Sequence, residues 1–343
     1  MVGVSVILCC YNSAPRLPQT LMHLAFQKVS PEIKWEVIVV DNASTDNTAQ
    51  VASLNWSKYG PVEVGFRVIK ELKSGLSYAR NKGINEAVFE YLIFCDDDNW
   101  LSENYIETAY NIINENAKIG ILGGQSEAQS DVPFPSWFAS YESYYAVGKQ
   151  SIVSGDISVR GYVWGAGMVL RKSVYLNLNT AGFSQLISDR KGDEIISGGD
   201  SEICEWFLIA GYKLWYDERL FFTHFIPSSR LTQNYLDSLH SSFLTSYAGL
   251  MYYRFYRENK IEKDYKLKYF LRLPSKLFAY LNESDPHKKL DIANELPLFF
   301  IKSRNRIYYN IVKAATRFEK MTRANQSRIL YDLLTIAYGY LII

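Results

Sequence analysis

Cysteine is scarce in this chain, with four residues in 343: Cys9, Cys10, Cys95 and Cys204. They form no CxxC pair and no zinc-ligand spacing, and each lies in an apolar context. That pattern excludes a disulfide scaffold and predicts buried, reduced thiols of a cytoplasmic protein. No segment offers the roughly 20 apolar residues that span a bilayer, so a soluble or surface-attached protein is expected. The opening MVGVSVILCCYN has no basic leading segment and only a short apolar run, and it reads as a first strand, not a signal peptide. Net charge is nearly absent at +1. No nucleic-acid motif is present and the basic residues are scattered, which argues against a nucleic-acid partner. Internal repeats and low-complexity tracts are missing as well.

Hydrophobic residues are plentiful at 48%, ample for a large buried core. The charge is balanced only in sum. Residues 1–230 carry 19 Lys+Arg against 26 Asp+Glu, a net of −7, whereas residues 231–343 carry 18 against 10, a net of +8. This asymmetry predicts an acidic site in the first segment and an anionic partner for the second.

Along the first segment, short continuous apolar runs alternate with helical periodicity. VSVILCC (4–10) is followed by Leu17, Leu21 and Leu24 at helical spacing; Val37 to Val40 by a polar loop and a helix; GFRVIK (65–70) by Leu76, Ala79, Gly83 and Ala87 on one face. YLIFC (91–95) leads through Asp96, Asp97 and Asp98 to a helix bearing Ile106, Ala109, Ile112 and Ile113. Such alternation implies an α/β fold whose mostly parallel sheet is covered on both faces. Ligands then bind beyond the carboxyl ends of the strands, where three polar clusters fall: Tyr11-Asn12, Asp41-Asn42 and Asp96-Asp97-Asp98. Further on, VWGAGMVLRKSVY (163–175) reads as a strand before a basic turn, and SEICEWFLIAGY as a helix closed by Gly211.

Three adjacent aspartates repel one another unless a cation or water relieves them. Asp96 and Asp98 point the same way if the strand persists, and oxygen ligands suit Mg²⁺ or Mn²⁺ bridging to phosphate. A solvated acidic turn at a helix N-terminus is the plain alternative. Asp46 is a good helix N-cap and Asn42 can form an Asx turn, whereas Asp41 ends an apolar strand where a carboxylate can accept from a nucleobase or ribose. Asp200 also reads as an N-cap, and a lone His224 after LFFTHF as an ordinary packed residue.

SVILCCYN, EVIVVDNASTDNT, GLSYARNKGINEA and LIFCDDDNWL, in this order and spacing, together with VWGAGMVLRKSVY and GGDSEICEWFLIAGYKLWYDERLFFTHF, resemble glycosyltransferase family 2 over roughly residues 3–232. The resemblance implies a GT-A fold, a Rossmann-like sheet flanked by helices with a C-terminal helical extension. It divides the chain into a catalytic domain at 1–230, with a nucleotide-sugar half to about 120 and an acceptor half beyond, and a helical, basic and aromatic region at 231–343. It implies inverting, metal-dependent transfer of a sugar from a nucleotide-sugar to a glycan or lipid-linked acceptor. Tyr11, Asn12, Asp41, Asn42, Arg80, Asp96 and Asp97 would bind the donor; Asp98, Asp96 and His224 would hold Mn²⁺ or Mg²⁺. Asp200 would be the base. The family's Glu before it is replaced by Gly199, which leaves Glu202 as a reserve. Trp164, Gly165, Arg190, Lys191 and Arg230 are candidates for the diphosphate or acceptor.

Two rivals remain: a nucleotidyltransferase, for which YNSAPRLPQ is a poor phosphate loop, and a nucleotide-sugar-binding or scaffolding protein without catalysis. In the tail, HSSFLTSYAGLMYYRFYRENK and YKLKYFLRLPSKLFAYL interleave Tyr, Phe and Leu with Lys and Arg. They read either as interfacial helices on an anionic, cytoplasmic membrane face or as a bundle packed on the catalytic domain.

Overall fold

The computed structural model describes residues 1–187, 189–190, 196–261, 310–311 and 313–322. Lys191 and the stretch 265–281 lie outside the described residues. The apolar runs form strands β1 (Val4–Cys10), β2 (Trp35–Asn42), β3 (Gly65–Glu71) and β4 (Tyr91–Cys95). Between them run helices α1 (Leu17–Ala25), α2 (Thr48–Tyr59) and α3 (Leu76–Glu86). These strands pair in parallel in the order β3-β2-β1-β4. Strand order reverses beside β1, so the switch-point crevice opens where β1 and β4 end.

Successive side chains of each strand point to opposite sheet faces, and both faces are covered. On one, Val6, Leu8, Val37, Val39 and Ile93 pack with Leu17, Leu21 and Leu24 of α1 in the main core. On the other, α3 lies so close to β1 that a Cβ at Gly83 would run into Ile7. Each fully buried aliphatic side chain contributes about 1.5–3 kcal/mol. Pro18 stands in the first turn of α1, where no intrahelical N–H is needed.

The sheet continues through β5 (Asn99–Leu101), β6 (Ile119–Gln129), β7 (Gly155–Asp156), β8 (Val169–Arg171) and β9 (Lys213–Phe225), with α4 (Tyr105–Glu115), α5 (Lys172–Ala181) and α6 (Gly199–Ile209) between them. β8 is antiparallel to β4 and β6, β9 is parallel to β6, and most paired residues of the mixed sheet lie in parallel ladders. The basic turn expected after β8 is the start of α5, and Gly211 is followed by the single long β9. β5 pairs antiparallel with β9 and sets Asn99 opposite His224. A smaller core of Phe138, Tyr145, Val147, Ile226, Leu231, Leu236 and Leu239 lies alongside the first turns of α7 (Gln233–Ile261).

Contacts group residues 1–174 with 185–250, and 175–184 with 251–343. The second unit includes helical turns over 313–322, in which Ala314, Ala315 and Phe318 are buried. No helix among the described residues is long and apolar enough to cross a membrane.

Candidate active site

β4 delivers three carboxylates to the crevice, and the structure gives each a different neighbour. Asp97 turns toward α1: Arg16 Nη2 donates to its Oδ2 at 2.6 Å, and the Thr20 hydroxyl donates to its backbone oxygen at 2.8 Å. This ion pair holds the strand end against α1 and engages the carboxylate that was expected to meet the donor. Asp98 is buried, accepting from Arg230 Nη1 at 2.8 Å and from the Asn99 amide at 3.2 Å. Asp96 has no donor on its carboxylate among the described residues. Burial and the repulsion of Asp98 push the Asp96 carboxyl above the usual carboxylate range, against the pull of Arg80, His224 and Arg190. Burial works in the same direction on Asp98, yet Arg230 and His224 outweigh it and hold that group well below the usual range.

His224 reaches Asp98 because the β5–β9 ladder brings the end of β9 beside the aspartates, and the Phe225 amide donates to the Asp98 backbone oxygen at 2.9 Å. Its Nδ1 lies 2.7 Å from the Tyr145 carbonyl, which can only accept, so Nδ1 carries the proton. Its Nε2 faces Asp98 Oδ1 across 3.4 Å, a separation that a proton on Nε2 or a bound cation makes attractive. Two acceptors at that separation repel unless a proton or a cation stands between them. A ring nitrogen fixed by a carbonyl and facing a carboxylate is the arrangement of a metal-binding histidine. No cluster of three or more His, Cys, Asp or Glu surrounds one point among the described residues. A hard cation such as Mn²⁺ or Mg²⁺ needs only one or two carboxylates when phosphate and water complete its shell. Asp98, Asp96 and His224 are of the donor types such an ion takes, but among the described residues the three do not gather around one point.

The residues expected to meet the nucleotide stand at the ends of β1 and β2. Tyr11 is exposed just beyond β1. Asn12 adopts φ 49°, a left-handed conformation that Asn tolerates, and its Oδ1 accepts from the Thr45 amide at 2.8 Å, clamping the two strand ends together. Asp41 is nearly buried, with Oδ1 accepting from the Ser44 amide at 3.2 Å. Asn42 has a different job from the one expected. Its amide donates to Glu71 and Lys73 carbonyls and accepts from Gly75 N–H at 2.8 Å, so its polar atoms serve the β3–α3 connection instead of a ligand or an Asx turn. The cap of α2 is Asn47; Asp46 instead accepts from the Thr48 amide at 3.0 Å and the Ala14 amide at 3.1 Å.

Across the crevice, α6 begins at Gly199 with Gly198 at the cap position, so Asp200 stands inside the first turn and does not precede the helix. Its Oδ2 accepts from Gly165 N–H at 2.8 Å and its Oδ1 from Ser201 N–H at 2.7 Å, and the residue stays partly exposed. Trp164 is buried, with its backbone N–H on Gln150 at 2.9 Å and its ring facing Arg160. Glu202 is fully buried and accepts from the backbone amides of Leu186 and Ile187 at 2.8 to 3.1 Å. No acceptor hydroxyl can reach it, which removes it from the list of candidate bases.

Arg80 is buried beneath this wall, its guanidinium over the Phe94 ring and Nη1 on Asp189 Oδ2 at 3.1 Å. Arg190 donates to the Tyr235 hydroxyl at 3.0 Å. Sequence reasoning missed Asp189, Arg16 and the Tyr145 carbonyl. Each acts on a partner far along the chain and carries no local pattern.

The GT-A type of fold is borne out by comparison with a solved structure, that of S. aureus TarS in complex with UDP-GlcNAc. It matches with a TM-score of 0.52 at 14% identity, covering 95% of this chain and 92% of that one. Residues 5–175, about half of the chain, match the family model described as Glycosyl transferase family 2, and the chain belongs to that family. Among curated relatives, a cholesterol galactosyltransferase of Borreliella burgdorferi is 29% identical over 39% of this chain and 38% of its own length. Glycosyltransferase AglE of Haloferax volcanii is 26% identical over 62% of this chain and 63% of its own length. Each alignment therefore spans less than two thirds of the relative.

Proposed function

We propose that this chain transfers a sugar from a nucleotide-diphosphate sugar to an acceptor hydroxyl, with inversion at the anomeric carbon. The observation that carries the reading is that two unlike carboxylates, Asp96 and Asp200, both lie within electrostatic reach of the buried Arg80. Asp96, whose carboxylate has no donor among the described residues, follows β4 beside the Asp98–His224 pair, while Asp200 is oriented by Gly165 N–H at the start of α6. Asp200 takes the proton of the acceptor hydroxyl as its oxygen attacks the anomeric carbon. The bond from that carbon to the diphosphate oxygen breaks, its electron pair leaves with the nucleoside diphosphate, and the transition state has oxocarbenium character. Asp98, Asp96 and His224 would hold Mn²⁺ or Mg²⁺, which supplies charge neutralisation to the departing diphosphate. Tyr11, Asn12 and Asp41 border the nucleotide.

A uridine-diphosphate sugar is the first donor to test, because TarS, which shares the fold, has been solved with UDP-GlcNAc. The acceptor reading is a glycan or lipid-linked hydroxyl in surface-polysaccharide or glycolipid assembly, supported by the activities of relatives such as the cholesterol galactosyltransferase and the poly(ribitol-phosphate) β-N-acetylglucosaminyltransferase TarP of Staphylococcus aureus. A basic tail would hold the protein peripherally on a cytoplasmic, anionic membrane face.

The test is thermal stability with UDP, GDP, dTDP and CMP, each with and without Mn²⁺, followed by transfer assays with the matching sugars. A ligand at one hundred times its Kd stabilises the native state by about 2.7 kcal/mol. A metal-dependent shift with one nucleotide, then transfer with inverted configuration, is the expected outcome. Shifts without turnover across a broad acceptor panel would favour a binding protein, and no shift with any nucleotide would sink the donor reading.

A further inference from the structure

Position 199, directly before the proposed base, is glycine, and its backbone does not require one: it opens α6, whereas its neighbour Gly198 is the residue held at φ +120°. Gly199 is small for another reason. A Cβ there would run into the carboxyl group of Asp189, whose Oδ1 accepts from Gly199 N–H at 2.9 Å. A carboxylate from a different segment therefore fills the space that a side chain at 199 would occupy.

That carboxylate has a function to serve. Asp189 is buried and its Oδ2 accepts from Arg80 Nη1 at 3.1 Å, between side chains that are 5% and 7% exposed. On the other side of the guanidinium, a Cβ at Gly165 would lie 2.8 Å from Arg80 Nη2 and 3.2 Å from Asp200 Oδ2. Gly165 thus leaves room for Arg80 while its N–H orients Asp200. Burial disfavours the charge on Arg80, but Asp189, Asp96 and Asp200 together more than offset it. A guanidinium among three carboxylates has a choice of partners, and breaking one buried pair frees it to take another. Were Arg80 to swing onto Asp200, it would occupy the carboxylate that must accept the acceptor's proton.

We infer that Asp189 is a positioning residue that stands in for the absent side chain at 199 and pins Arg80 between the donor-side Asp96 and the acceptor-side Asp200. The inference rests on the glycosyl-transfer reading above. Asp189 acts through Arg80 and touches neither sugar nor acceptor.

The experiment is a carboxylate swap in the full-length protein. Asp189→Asn keeps the shape and the acceptor for Gly199 N–H but removes the charge, and Asp189→Ala removes both. A misplacement of about 1 Å at a reacting group costs about 100-fold, so kcat should fall by that order in each variant. Moving the carboxylate back onto α6, in Asp189→Ala/Gly199→Asp and Asp189→Ala/Gly199→Glu, should recover at least part of the lost kcat. Gly199→Asp alone, which crowds Asp189, should recover nothing and lose activity. Rescue of kcat by a carboxylate from the other segment is a result that a role in packing would not produce. Parent-like kcat in Asp189→Asn would overturn the inference. So would swap variants that melt like the parent but turn over no faster than Asp189→Ala. If the parent transfers no sugar, the transfer reading fails and the same variants are judged by affinity for UDP, GDP and dTDP with Mn²⁺. There, weakening in Asp189→Asn with recovery in the swap upholds the positioning role, and unchanged affinity or no binding by the parent overturns it.

Discussion

Asp200 and Asp96 are both partly exposed carboxylates within electrostatic reach of Arg80, and the proposed mechanism gives them opposite tasks. Asp200 accepts from two backbone amides while remaining partly exposed. Asp200→Asn is expected to lower kcat by about 10²–10⁴, the usual contribution of a general base, with nucleotide affinity intact. Turnover close to the parent's, measured with the donor identified above, would remove Asp200 from that role. Asp96 is ionised at a cost, since its carboxyl is raised by burial and by Asp98. A carboxyl whose folded pKa is raised is destabilised fully above that pKa, and the penalty disappears as pH falls below its unfolded value near about 4. Asp96→Asn should therefore raise the melting temperature of the ligand-free protein at pH 7 and leave it unchanged near pH 4, while weakening Mn²⁺-dependent nucleotide binding. A lower melting temperature at pH 7 would contradict this account of the acid cluster.

At the scale of elements, short pieces decide what the long ones display. β5 is only three residues, yet its ladder with β9 brings His224 opposite Asn99 and so beside Asp98. Helix α6 presents Asp200 to the crevice and Glu202 to the interior, where the carboxylate holds the 186–187 backbone. Removing a buried acceptor leaves its donors unsatisfied at about 1–3 kcal/mol each. Glu202→Ala should accordingly lower the midpoint of thermal or urea unfolding markedly, without the selective loss of kcat expected of Asp200→Asn. A variant that melts like the parent but does not turn over would return Glu202 to catalysis.

For the whole molecule, the uneven charge is the property with a global consequence. The 18 basic against 10 acidic residues beyond position 230 should favour an anionic surface, at about 1 kcal/mol for each Lys or Arg close to the lipid. Flotation with anionic liposomes should carry the protein upward at low salt and less at high salt; protein that stays in solution with both anionic and neutral vesicles would refute attachment. The alternation of strand and helix, the polar ends of β1, β2 and β4, and the family signature were legible in the sequence, because apolar runs and helical spacing are local patterns. Which carboxylate is free was not. Asp98 meets Arg230 across 132 residues of sequence, and Arg80 meets Asp189 across 109. Composition and periodicity determined a sheet with acid at its mouth; only the tertiary structure decided that Asp97 is tied to Arg16, that Glu202 is interior, and that Asp96 and Asp200 stay partly exposed. The physical reason is that an ion pair depends on separation in space, and residues this distant in sequence come together only when the chain has folded.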